Sequence, residues 1–173
     1  MPSFYAKQWR RLLSSFSPQI RCLVAEMAQA HNQALAEHFY SAMLEDEAAA
    51  GLLSHEQVHA RLMGSMRQWI AQVLSAQPED DLEPLVQHQV KIGEIHARVD
   101  VPVHLVLRGA RRLKDGWHHL LAQHHPEQQT LASQMVAAVI DHAMEAMSQG
   151  YAVSRDSNSR TKEAYRLFSV TQN

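Results

Sequence analysis

A chain of 173 residues with net charge −2 and a pI near 6.6 can bury one sizeable core, and it carries no basic field that would make nucleic acid its main partner. Hydrophobic residues at 46% and charged residues at 20% exclude a disordered chain, and no stretch approaches the roughly 18 apolar residues of a membrane span. The single cysteine, Cys22, excludes an intramolecular disulfide, and the polar, basic stretch from Met1 to Arg11 lacks the apolar run of a secretory signal, so a cytoplasmic protein is expected.

Alanine, leucine, glutamine, methionine and arginine dominate and strand-favouring runs are scarce, so the fold class is all-α. A short first helix carries Trp9, Leu12 and Leu13 and stops at Ser17-Pro18. A long helix follows over about 19–47, with Leu23, Val24, Met27, Leu35, Phe39, Met43 and Leu44 recurring along it and Gly51 as the break beyond. Ser54, with Gln57 three residues on, forms a capping box for a helix bearing Val58, Leu62, Met66, Trp69, Ile70, Val73 and Leu74, which ends before Pro78. Asp80 or Asp81 caps the next helix, which carries Leu85, Ile92 and Ile95 to about Arg98. After a short loop around Asp100, Pro102 opens a helix with Val103, Val106, Ala110, Leu113, Trp117 and Leu121 on one face. His125-Pro126 punctuates it. The last long helix runs to about Gly150 with Met135, Val139, Ala143 and Ala146 in register. Residues 154–160 are polar and read as a linker, followed by a short amphipathic piece with Tyr165, Leu167, Phe168 and Val170.

Twelve histidines are many for this length. His55-Glu56-Gln57-Val58-His59 matches the His-Glu-x-x-His pattern of zinc hydrolases, in which two histidines one turn apart hold metal and the glutamate acts as base. Here the motif starts a helix with no strand before it to build a cleft and no third ligand placed by a further motif, so an exposed helix start is preferred. His118-His119 and His124-His125 lie near a helix end, where the dipole favours them as solvated residues. His31, His38, His88, His104 and His142 are isolated and read as structural or exposed. His96 stands one turn after Ile92 on the apolar stripe of its helix; taken alone, it reads as a core histidine.

Four segments, in order along nearly the whole chain, carry a resemblance. Gly93-Glu94-Ile95-His96-Ala97-Arg98-Val99-Asp100-Val101-Pro102-Val103 resembles the proximal-histidine stretch of globin-coupled sensors, and Glu37-His38-Phe39-Tyr40 resembles their distal tyrosine segment. Leu53-Ser54-His55-Glu56-Gln57-Val58, continuing through Leu62, Met66 and Arg67-Gln68-Trp69-Ile70, is similar as well, as is Tyr165-Arg166-Leu167-Phe168-Ser169, where sensor joins output. Within that family the sequence resembles the haem sensor domains of oxygen-sensing diguanylate cyclases.

The resemblance implies a globin fold with an extra N-terminal helix and no D helix. Residues 1–150 would be the sensor globin domain and 151–173 a linker toward an output domain, a cyclase making cyclic di-GMP. The chain itself would not be an enzyme. The resemblance further implies haem b (iron protoporphyrin IX) with His96 as the proximal iron ligand, O2 (also CO and NO) at the iron, and Tyr40 as the distal hydrogen-bond donor. Leu62 and Met66 would line the distal pocket, Phe39 would pack on the porphyrin, and Ile92 and Val106 would complete the cofactor-binding set. A neutral imidazole gives a lone pair to iron, and a neutral phenol donates to bound oxygen, which carries partial negative charge. His59 lies one turn before Leu62 on the same helix. In this family the last two long helices pair between subunits as a homodimer; here they carry Ala110, Leu113, Trp117, Met135, Met144 and Met147. The rival readings are a stand-alone oxygen-binding globin, a haem-free helical interaction module and the zinc hydrolase.

Overall fold

The computed structural model describes residues 1–53 and 56–170, with the side chains of 57, 58 and 164–170 left aside. The expected Ser54 cap and the first histidine of the zinc pattern, His55, lie outside the described residues, as do the side chains of the amphipathic tail from Tyr165 to Val170. Seven α-helices follow one another with no strand among the described residues: α1 (Phe4–Ser14), α2 (Pro18–Leu44), α3 (Glu47–Leu53), α4 (Glu56–Ser75), α5 (Glu83–Arg98), α6 (Val103–His124) and α7 (Gln129–Val170).

Local chemistry sets most of the boundaries. The Ser3 side chain accepts from the Ala6 N–H at 3.2 Å and that of Ser17 from the Ile20 N–H at 3.3 Å, each satisfying a donor that the helix start leaves open. Pro18 sits in the first turn of α2, where it has no hydrogen bond to lose.

The long second helix ends at Leu44, short of the expected Glu47. The Asp46 carboxylate accepts from Ala48 and Ala49 N–H at 3.0 and 3.3 Å and pairs with Arg108 of α6, which starts the separate helix α3. Gly51 lies inside α3 and breaks nothing. One short helix, with no second one among the described residues, thus joins α2 to α4.

Neither Asp80 nor Asp81 occupies the α5 cap. Asp80 accepts from Gln77 N–H at 2.8 Å and Asp81 from Glu83 N–H at 3.2 Å, while Leu82 holds the cap position without a side-chain bond.

The core follows the apolar stripes. Trp9, Leu13, Val24, Ile70, Val73, Leu74, Trp117, Leu121, Met135, Val139 and Ile140 are all at most 1% exposed and form one cluster. Leu44 and Ile95 depart from their stripes and face outward at 39% and 45%. α5 packs most extensively on α7, α4 on α2, and α6 on both α7 and α2, with α1 against α7.

Two helix crossings depend on glycine. A Cβ on Gly93 would stand 1.9 Å from the Met147 carbonyl oxygen, and one on Gly150 would stand 2.1 Å from that of Val90, so α5 and α7 meet backbone to backbone. This corrects the expected helix end at Gly150. The residue is a contact surface inside a helix that continues through 154–160 to Val170, and a glycine needed for close approach looks in sequence like a terminator. Gly109 similarly admits the Phe39 ring between α2 and α6, since a Cβ there would lie 2.9 Å from Phe39 Cε2.

The face expected to pair two subunits also changes. Leu113, Trp117, Met135 and Met147, at 0–4% exposure, belong to this chain's own core; of the six residues, Ala110 and Met144 remain half-buried at the surface.

Candidate functional site

α4 and α5 are neighbours in sequence, yet each packs on another helix, α4 on α2 and α5 on α7. One buried hydrogen bond ties them: Trp69 Nε1–H donates to Gln89 Oε1 at 2.8 Å, and Gln89, fully buried, donates in turn to the Leu85 carbonyl at 3.2 Å. Away from that bridge, successive turns lead to Met66 and Leu62 on α4 and to Ile92 and His96 on α5. Leu62, Met66 and Ile92 thus continue the apolar stripes of α4 and α5 beyond the bridge.

The residues that the resemblance assigns to the pocket are packed differently from the core. Leu62, Met66, Ile92, Val106 and Phe39 are half-buried, whereas Ile70, Val73, Leu74 and Val86 on the same helices are at most 1% exposed. Phe39, Met66 and Ile92 touch the edge of the main core, and Phe39 also borders the small cluster of Met43, Ala49 and Leu105 beneath α3. These side chains keep apolar surface uncovered.

Two polar groups stand in this setting. His96 is half-buried near the end of α5, and its Nδ1 is buried with no hydrogen-bond partner. Burial lowers its pKa from the ordinary 6.5, so the ring is neutral at neutral pH and keeps a nitrogen lone pair. Its backbone is fixed by the way α5 ends. Val101 N–H donates to the His96 carbonyl at 2.9 Å and Asp100 N–H to that of Ala97 at 3.3 Å, with Asp100 at φ 56° in the left-handed region. This is the Schellman arrangement, with aspartate in the place that glycine usually takes.

Tyr40, from α2, is 3% exposed, and burial pushes its hydroxyl well above its ordinary range, so it is a neutral donor. The hydroxyl makes no hydrogen bond to any described residue. The Tyr40 ring meets Phe39 at 5.3 Å and 82° and His59 of α4 at 5.0 Å and 61°.

Of the other histidines, His38, His88, His104, His118, His119 and His124 are exposed. His142 is 6% exposed and bonds through Nε2 to the Tyr5 carbonyl at 2.9 Å, joining α7 to α1. Among the described residues no three histidine, cysteine or acidic side chains stand close enough to hold a metal ion. Two surface clefts, of about 390 Å³ between α1 and α7 and about 470 Å³ between α6 and α7, include neither Tyr40 nor His96. Sequence reasoning did not single out Gln89, Gly93 or the contact of His59 with Tyr40. Gln89 carried a signal, a glutamine one turn from Leu85 and Ile92 on the apolar stripe.

Residues 17–156 match the protoglobin family model. The chain belongs to the protoglobin family. This protoglobin is 36% identical over 168 residues, 96% of its length, to the diguanylate cyclase DosC of Escherichia coli strain K12, and 36% identical over 168 residues to that of Shigella flexneri. It spans 36% and 44% of those two relatives' lengths. Its fold matches the crystal structure of the ferric globin domain of E. coli DosC with a TM-score of 0.78 at 36% identity, covering 85% of this chain and 99% of that one. The ferrous form matches at 0.77 and 36%, covering 84% and 98%. The globin domain of a Geobacter sulfurreducens globin-coupled sensor matches in fold at 0.66 and 19% identity, covering 84% and 95%. The all-α globin fold expected from the sequence is the one observed, and this protoglobin chain corresponds to the globin domain of its longer relatives.

Proposed function

We propose that this chain is the haem-based oxygen sensor of a longer signalling protein. The observation that carries the reading is a set of features: the half-buried apolar side chains Leu62, Met66, Ile92, Val106 and Phe39, a neutral imidazole with an unpartnered buried nitrogen on α5, and a buried neutral phenol on α2. These residues fit haem. A flat apolar macrocycle would cover the half-exposed Leu62, Met66, Ile92, Val106 and Phe39, and an imidazole held neutral is the form that ligates a metal.

Within this reading His96 is the proximal ligand of haem b, and Tyr40, Leu62, Met66, Phe39, Ile92 and Val106 form the rest of the pocket. Bound haem would supply an iron able to bind O2, CO or NO. The chain supplies everything else. Leu62 and Met66 would keep water from the gas site. Tyr40 Oη would donate a hydrogen bond to a bound gas, favouring O2 over CO because O2 draws more charge. The Schellman turn after α5 fixes the backbone that carries His96.

The signal leaves through α7. The Gly93–Gly150 contact joins the helix of His96 to α7, and Tyr151 Oη donates to the Val101 carbonyl at 2.8 Å in the loop that follows. Residues 1–150 then act as sensor and 151–173 as a linker, helical through Val170. The relatives' name, diguanylate cyclase, supports an output domain that makes cyclic di-GMP. A homodimer through α6 and α7 would use Leu107, Ala110 and Met144 around the Lys114–Asp141 ion pair, where Leu107 is 54% exposed. No helix among the described residues is long and apolar enough to cross a membrane, and the proposal places the protein in the cytoplasm.

The visible spectrum of the purified protein tests the reading. A Soret band, a five-coordinate ferrous form and a stable oxygen complex are expected, with His96→Ala losing or altering the band. A chain that takes up no haem on reconstitution overturns the proposal and leaves a helical interaction module.

A further inference from the structure

We infer that His59 is a positioning residue of the gas pocket, holding the Tyr40 phenol in its donating orientation by ring packing. The inference rests on the haem reading above. The phenol is carried by two rotatable bonds from α2, and its hydroxyl has no hydrogen-bond partner among the described residues. A donor in that state keeps its direction only if its ring is gripped. Two described rings meet it. Phe39 is its neighbour on α2 and moves with the same helix. His59 comes from α4, at a centroid distance of 5.0 Å and an interplanar angle of 61°, an edge-to-face arrangement.

The position of His59 along α4 fits this role. His59, Leu62 and Met66 recur at three- and four-residue spacing and so share one face of α4. His59 is half-buried and its ring nitrogens bond to no described residue, so what ties it to the site is the ring contact itself. The contact also bridges α2 and α4, the two helices that carry the distal side. The imidazole therefore sets how α4 seats against the tyrosine, and it shields one side of the phenol from solvent. The role assigned is positional: the ring holds the donor, and the nitrogens make no bond to the gas.

The test uses the haem-loaded chain with His59→Ala, His59→Phe, Tyr40→Phe and the double variant Tyr40→Phe/His59→Ala. Readouts are the O2 dissociation rate, the C–O stretching frequency of the CO complex and the far-UV circular dichroism. His59→Ala is expected to release O2 about three- to tenfold faster, the range an edge-to-face ring pair supports. It should also broaden or shift the C–O stretch, with helix content unchanged. His59→Phe keeps a ring in place and is expected to restore both readouts. In the Tyr40→Phe background, removing His59 should change the O2 rate no further. An unchanged O2 rate and C–O stretch in His59→Ala overturns the inference. So does a full additional effect in the Tyr40→Phe background, or a His59→Phe variant as fast as His59→Ala, since either would mean that the imidazole nitrogen touches the gas directly. These failures occur with a normal Soret band; a parent protein lacking that band overturns the haem reading and this inference with it.

Discussion

Under the proposed haem reading, gas binding would turn on Tyr40 and His96, and burial shifts both. It raises the phenol's pKa and lowers the imidazole's, which favours the neutral form of each at neutral pH. A hydrogen bond from Tyr40 in a water-poor pocket is worth about 1–3 kcal/mol. Tyr40→Phe is therefore expected to release O2 about 5- to 150-fold faster while leaving CO release much less affected, as read by stopped-flow exchange of each gas. Equal effects on the two gases would show that the phenol shapes the pocket without donating. At the next residue of consequence, Asp100, the left-handed backbone closes α5 four residues after His96 and brings the Val101 N–H onto the His96 carbonyl.

Helix contacts decide where these residues stand. α5 lies against α7 because Gly93 and Gly150 let two backbones touch, so Gly150→Ala is expected to destabilise the fold by about 1–3 kcal/mol in urea unfolding, although alanine is the better helix former. A gain in stability would show that α5 can withdraw at no cost. The start of α5 is tied to the start of α1: Ser3 N–H donates to Glu83 Oε2 at 2.8 Å and Gln87 to Glu83 Oε1 at 2.9 Å. The Ser3 amide, first, and the Gln87 amide hold the Glu83 carboxyl below its ordinary 4.5. A carboxyl depressed in the folded state stabilises above its unfolded value and loses that stabilisation as pH falls through the folded one. Glu83→Gln should therefore lower the Tm at pH 7, and the gap to the parent should close once the pH drops below about 4. A gap independent of pH would assign the effect to packing alone.

Over the whole molecule, α7 is both the floor under α5 and the segment that reaches toward the C-terminus. Tyr151, half-buried with its hydroxyl pKa raised by that burial, joins α7 to the α5–α6 loop. If the position of His96 is passed on by this route, residues 151–163 should exchange their amide hydrogens at different rates in the deoxy and oxy forms. Tyr151→Phe, which deletes one hydrogen bond and keeps the ring, should shrink that difference while leaving the Soret band and O2 binding intact. An undiminished difference would place the route elsewhere, through α6 or the subunit interface.

Taken by itself, the amino-acid sequence determined the helical class, the order and approximate span of the helices, and the candidates His96 and Tyr40. Periodicity, caps and an ordered run of motifs are local properties, written in neighbours three or four residues apart. Tertiary structure decided what depends on residues far apart in the chain. Gly150 looked like a helix end because nothing nearby in sequence shows the Val90 carbonyl that needs its missing Cβ. Leu113, Trp117, Met135 and Met147 looked available for a partner because an apolar stripe does not say whether its own chain or another will cover it. The second helix looked longer because the contest at Asp46 is settled by a capping carboxylate paired with Arg108, 62 residues away. The Trp69–Gln89 bridge, which ties α4 to α5, is likewise a meeting of two stripes that only folding brings together.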